Sequence, residues 1–244
     1  MKPRWARSFT LVELMAAMTV LALLMVAMVA MLDQAMRGWR TAQKGIDGRR
    51  EARTALQMVQ RDLSALVIQP GRGIFNETTN NNGKSSDLYF LAALPTSAQA
   101  TNSGGDVCGV GYFVEWDPSL NEGRGARVLR RYQQEAAQQF VRLQSAPTSN
   151  PSRTQLFPDS GPGITVETLA QNVSHFRAEI YQWTNNSNFQ SAGGEDGVRR
   201  PAYLMVELAA YDPQTVRSFQ SQSDWDQSNN VTKFARTYIW RVVP

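Results

Sequence analysis

From Phe9 to Leu32 the chain contains no proline and no glycine, and Glu13 is its only charged residue. As a helix this run would extend about 36 Å, enough to cross a hydrocarbon core of about 30 Å. Lys2, Arg4 and Arg7 precede it. Positive charge before a spanning segment holds that end in the cytoplasm, so everything after Leu32 is expected on the far side. A secretory signal peptide would have a shorter apolar core followed by a small-residue cleavage site. Here the apolar run is long, and the plausible cleavage signal lies in front of it.

The leader also accounts for most of the net charge. Three of the 25 Lys and Arg residues lie in the first eight positions, and the remaining 22 nearly match the 21 Asp and Glu. A near-neutral body gives no global electrostatic reason to bind a polyanion, which speaks against nucleic acid as a partner. Cys108 is the only cysteine and His175 the only histidine. No intrachain disulfide can form, and a zinc site would need more ligands of these types. Cys108 is expected as a small core residue in a strand. No nucleophile with a nearby base, phosphate-cradling glycine motif or paired His ligands is evident, so no enzymatic activity and no cofactor are expected.

The residues at the junction carry a more specific signal. Arg7-Ser8-Phe9-Thr10-Leu11-Val12-Glu13 closely resembles the type III signal of type IV pilins and type II secretion pseudopilins. The resemblance implies cleavage by a prepilin peptidase between Ser8 and Phe9, with Ser8 standing where the family usually has Gly. It implies N-methylation of Phe9. It also implies that Glu13 pairs with the N-terminal amine of a neighbouring subunit, setting axial register during assembly. A carboxylate inside a spanning helix costs several kcal/mol unless it is paired, so such a pairing would offset the cost of Glu13. Met15, Met18, Met25, Met28 and Met31 supply adaptable apolar packing. The implied partners are the peptidase, other pilins or pseudopilins, and an inner-membrane assembly platform.

Leu56, Val59, Leu63 and Leu66 recur at helical spacing and predict a stalk helix ended by Pro70-Gly71. Arg49, Arg50, Glu51, Arg53, Gln57, Gln60, Arg61 and Asp62 are expected mostly in water. Gly38, Gly45 and Gly48 suggest a flexible neck, or a turn between two helices. The basic cluster Arg49, Arg50 and Arg53 is either a solvated face or a docking surface for an acidic neighbour.

Beyond Pro70 the pattern changes to short apolar runs separated by turns. Strands are expected at Asp87–Leu94, Gly109–Trp116, Arg127–Gln133, Phe140–Gln144, Val173–Trp183, Tyr203–Tyr211 and Thr237–Val243. Phe176, Ala178, Ile180 and Gln182 should share one face. Asn76–Ser86 and Pro147–Pro162 are expected as loops. The predicted fold is α+β: a long N-terminal helix, anchor plus stalk, packed on an antiparallel β-sheet head. The expected segments are a leader at 1–8, a membrane and assembly helix at 9–32 from Phe9 to Leu32, a stalk at 33–69 and a periplasmic head at 70–244.

The stretch from Leu169 to Val173, with Phe176, Tyr181, Trp183 and Arg200 to Leu208, resembles J-type minor pseudopilins and W-type minor pilins. It implies a minor subunit near the tip of a pseudopilus or pilus. The alternative is a membrane-anchored binding module for DNA uptake or adhesion; Trp225 or Trp183, if exposed, would serve carbohydrate or surface binding, but buried packing is the commoner fate of such residues. Asp224, Asp226, Ser228 and Asn230 have the alternating oxygen spacing that opens a calcium loop. Asn229 replaces the loop glycine and Ala235 the closing Glu, so Asp224 and Asp226 are calcium candidates without a complete motif.

Overall fold

The computed structural model of the chain describes residues 10–68, 74–79, 85–94, 106–147, 151–183, 189–191, 201–225, 227, 230 and 235–243. The contacts divide it into two units, Met1–Lys44 and Gly45–Pro244. Helix α1 is Leu11–Ser64, and its backbone stays helical through Gly38, Gly45 and Gly48. It ends before Pro70, because Leu66–Val67 already forms a strand, β1. The expected stop at Pro70-Gly71 is therefore corrected: recruitment of β1 to a sheet, and not the proline, ends the helix.

The second unit contains two antiparallel sheets. The first orders β1, β3 (Ser85–Ala93), β4 (Val107–Asp117), β5 (Ala126–Gln134) and β6 (Ile164–Gln171), with β2 (Ile74–Thr79) also paired to β3. β1 and β2 follow each other along one edge of β3, Val67 opposite Leu91 and Ile74 opposite Phe90. The second sheet orders β10 (Ala235–Val242), β9 (Tyr203–Tyr211), β7 (Val173–Trp183) and β8 (Phe189–Ser191). The chain passes from one sheet to the other at Asn172. This residue has φ +57°, a left-handed conformation that asparagine tolerates better than most residues, and its carbonyl accepts the Tyr211 N–H at 2.8 Å.

The α+β class and the main strands match the sequence pattern, since β7 and β9 have the expected limits. The strands the pattern missed are edge strands. β2 occupies part of the expected Asn76–Ser86 loop, and β6 is mostly exposed. An edge strand buries little apolar surface, so its polar residues resemble a loop in sequence. Phe140–Gln144 is corrected from strand to helix α2, Ala136–Ser145. Its buried Ala136 and Gln139 and partly buried Leu143 follow helical spacing, while Phe140 and Val141 are both exposed. Two neighbouring apolar residues facing the same way contradict a period of two. Within the expected Pro147–Pro162 loop lies the short helix α3, Arg153–Leu156, which buries Leu156 and Phe157.

The main core joins α1 to both sheets. Ala52, Ala55, Leu56, Val59 and Leu63 of α1 meet Leu88, Phe90, Val110, Tyr112 and Leu129 of the first sheet. Phe176, Ala178, Ile180, Leu204, Val206 and Leu208 of the second sheet complete the cluster. Behind the first sheet, Phe75, Tyr89, Leu91, Tyr132, Leu156 and Phe157 form a second cluster. Glycine is required where these rings lie on β4. A Cβ at Gly111 would run into the Tyr89 ring, and one at Gly109 would come within 3.1 Å of the Phe157 ring. A third cluster gathers Tyr211, Phe219 and Trp225 around Ala126.

Asp62 departs from the expectation of a watery helix face. It follows Val59 by three residues, so it lies on the inward side, and its side chain is fully buried. Arg131 Nε donates to Asp62 Oδ2 at 2.7 Å, and the Tyr112 hydroxyl donates to the same oxygen at 2.7 Å. Arg61 donates to Oδ1 through Nε at 3.2 Å and Nη2 at 3.1 Å. Arg131 also reaches Gln133 Oε1 at 2.8 Å. Burial opposes the Arg131 charge, but the Asp62 carboxylate raises its pKa overall. Burial and the same carboxylate push the Tyr112 phenol well above its ordinary value. Asp62→Ala should destabilise the protein by about 3–5 kcal/mol, because it strands a buried guanidinium. Replacing Asp62 and Arg131 together by Leu and Met should cost less than Asp62→Ala alone. Denaturant unfolding of the detergent-solubilised chain checks both; a loss below about 1 kcal/mol for Asp62→Ala would contradict the burial of the pair.

Candidate membrane and assembly helix

The first turn of α1 follows from Thr10-Leu11-Val12-Glu13. The Thr10 carbonyl accepts the N–H groups of Glu13 at 3.1 Å and Leu14 at 3.2 Å, and Thr10 Oγ1 lies 3.3 Å from the Glu13 nitrogen. Threonine at the cap followed three residues later by glutamate is a sequence signature of a helix start. A carboxylate in the first turn also complements the positive end of the helix dipole. Glu13 therefore has a local reason to be tolerated at this end of the helix.

Beyond it the helix is apolar on every side. The segment Leu11–Arg40 has a mean hydropathy of 2.5 in its most apolar window and is long and apolar enough to cross a membrane. Leu11, Met18, Leu23, Val26 and Met31 are each at least 65% exposed within the chain. A helix hydrophobic all round is stable only where lipid or other protein covers it, because monomers in water rarely expose patches this large. After Leu32 the chemistry turns amphiphilic. Asp33 pairs with Arg37 one helical turn later, and the Trp39 indole N–H donates to Gln43 Oε1 at 3.0 Å. Tryptophan with flanking charge is typical of the boundary between hydrocarbon and water.

Residues 6–29 match the family model of the prokaryotic N-terminal methylation motif. The chain carries a prepilin-type methylation motif. The match covers the leader junction, Glu13 and most of the apolar run. Ser8 and Phe9, the residues expected to flank the cleaved bond, lie outside the described residues. Among solved structures, a GspK–GspI–GspJ complex of the type 2 secretion system from enterotoxigenic Escherichia coli is similar at 14% identity. Its TM-score is 0.42, with 81% of this chain and 98% of that chain covered. A type IV-like pilin from Thermus thermophilus is similar at 15% identity and a TM-score of 0.39, with 80% and 95% covered. No curated protein matches the sequence significantly.

The other sequence candidates have local explanations. Asp224 Oδ2 accepts the backbone N–H groups of Gln220 at 2.8 Å and Ser221 at 3.0 Å, and these bonds lower its pKa. Its carboxylate serves as a turn cap, and Asp226 and Ser228 lie outside the described residues. Among the described residues no cluster of metal-ligating side chains forms. Trp225 takes the commoner of its two expected fates: it is buried edge-to-face against Tyr211, Phe219 and Trp116. The Trp183 side chain lies outside the described residues. His175 on β7 approaches Glu207 at 3.4 Å.

Cys108 is a buried strand residue, as expected, and its Sγ lies 3.5 Å from the Ala92 carbonyl. Burial pushes its thiol up to about 11. At pH 8 the folded chain would then hold only about one thiolate in a thousand. Thiol alkylation at pH 8 should be at least about a hundredfold slower in the folded chain than in denaturant, as mass spectrometry of time points would show. The sign for stability follows: a raised acid pKa favours folding at lower pH, and this contribution is lost as pH rises from about 9 to about 11. The apolar helix yields a second expectation. The full chain should sediment with membranes, whereas residues 45–244 alone should be soluble with a cooperative melt by circular dichroism. An insoluble or non-cooperative fragment would mean that the second unit needs the first to fold.

Proposed function

We propose that this chain is a minor pilin or pseudopilin, a structural subunit anchored in the bacterial inner membrane. In this reading residues 1–8 form a cytoplasmic leader, residues 9–32 the membrane and assembly helix, residues 33–69 the stalk, and residues 70–244 a periplasmic head. A prepilin peptidase cuts between Ser8 and Phe9, and Phe9 is then N-methylated. The subunit enters a type II secretion pseudopilus or a type IV pilus near its tip, supported by an inner-membrane assembly platform. The observation carrying this reading is the methylation motif over residues 6–29, set on a helix apolar all round.

The work of such a protein is mechanical. Its apolar helix exchanges lipid for the helices of neighbouring pilins, and no reaction occurs on the chain after processing. Cleavage removes three positive charges and frees an amine at Phe9. Glu13 lies one helical turn further on, at a depth where an isolated carboxylate costs several kcal/mol. The amine of a neighbouring subunit offsets that cost only at one axial offset, which gives Glu13 its role in register.

Mass spectrometry of the protein from native membranes should show a mature N-terminus at methylated Phe9, and Ser8→Asp should leave the chain uncut. A Ser8→Asp protein that still begins at Phe9 would refute the cleavage assignment. Glu13→Ala should insert in the membrane normally and yet cross-link to other pilins at least about tenfold less. Undiminished cross-linking of that variant would remove the register role.

A further inference from the structure

The second sheet ends on β10, whose outer edge faces no other strand among the described residues. Beside that edge a groove of about 490 Å³ opens between β10 and the second half of α1. Leu56, Tyr238 and Trp240 supply its apolar surface, and Arg53 and Gln57 its polar rim. Ile239 is 64% exposed on the same strand. Arg236 is exposed and, by the two-residue alternation of a strand, shares the face of Tyr238 and Trp240. An edge of eight residues with Ile239 exposed and Tyr238 and Trp240 only partly buried invites strand addition, and natural edges of this kind are normally covered or blunted.

The charges decide what can cover it. β10 carries Arg236 and Arg241 and no acidic residue. Arg53 and Arg236 have no carboxylate partner among the described residues, and Arg241 stacks over the Tyr203 ring at 4.2 Å. Nearby acids are engaged elsewhere: Glu51 accepts the Gln171 N–H at 2.9 Å, and Glu207 faces His175. A second copy of β10 would double the positive charge along the seam with nothing to neutralise it, and like charges across a strand pair are destabilising. An extended segment that alternates apolar and acidic residues meets every requirement. Its backbone pairs with β10, its apolar side chains enter the groove, and its carboxylates meet Arg53 and Arg236.

We propose that the free edge of β10 and the adjoining groove bind an extended, acidic segment of another protein by strand addition. The site lies within the second unit, residues 45–244, so it stands whether or not Phe9 becomes the mature N-terminus. The test uses the detergent-solubilised full chain and a displayed library of random linear octapeptides, matching the eight residues of β10. Enriched peptides should alternate apolar and acidic residues. On binding they should slow amide exchange in residues 235–242, and their affinity should fall with salt. Joint replacement Arg53→Glu and Arg236→Glu, both at exposed positions, should weaken the best peptide at least about tenfold without changing the thermal melt. Several outcomes would overturn the proposal: no enriched peptide, enrichment without acidic residues, exchange protection away from β10, or binding indifferent to the double substitution. Self-association of the chain that protects residues 235–242 would assign the edge to a second copy and overturn it as well.

Discussion

Asp62, Arg131 and Tyr112 meet at one carboxylate oxygen inside the second unit, and the packing of α1 on the first sheet depends on that meeting. A helix with a purely apolar face could slide or rotate on the sheets with modest loss, because hydrophobic contact has no direction. A buried carboxylate has direction. It tolerates burial only where Arg131 from β5 and Tyr112 from β4 both reach it, so it fixes the rotation and the axial position of Ala52–Leu63 against the first sheet. Buried pairs add little net stability compared with well-packed apolar residues, and their attested use is to specify register.

The same logic of directed, costly charge recurs at Glu13. Both carboxylates sit on α1 where the surroundings are apolar, and a partner lowers the cost of each. Asp62 finds its partners within its own chain. The proposed partner of Glu13 lies in the next subunit. α1 would thus be fixed in register twice, once to its own head and once to the filament.

The head's edges show how the sheets avoid unwanted pairing. The free edge of β7 at Ala178 is capped by side chains, its N–H donating to Ser86 Oγ at 2.8 Å and its carbonyl accepting from Asn76 Nδ2 at 2.8 Å. β2 and β6 carry polar residues on the edges of the first sheet. Only at β10 do an exposed apolar side chain, a groove and arginines without a carboxylate partner coincide among the described residues.

Local sequence was sufficient where one period dominated. The apolar run from Phe9 to Leu32, its single charge and the residues before it define the anchor without any tertiary contact, because a span in lipid depends on composition and length alone. The strands β7 and β9 were legible because each is central in its sheet and buries alternate residues. Tertiary structure decided the rest. Whether Phe140–Gln144 was strand or helix depended on which neighbours Ala136 and Gln139 could reach, and a short apolar run fits both periods. Trp225 was placed inside only by the rings of Tyr211 and Phe219. Asp62 had a faint sequence signal, an acid at an inward helical position. Its partners lie 50 and 69 residues further along the chain, and no local pattern encodes a contact between residues so far apart.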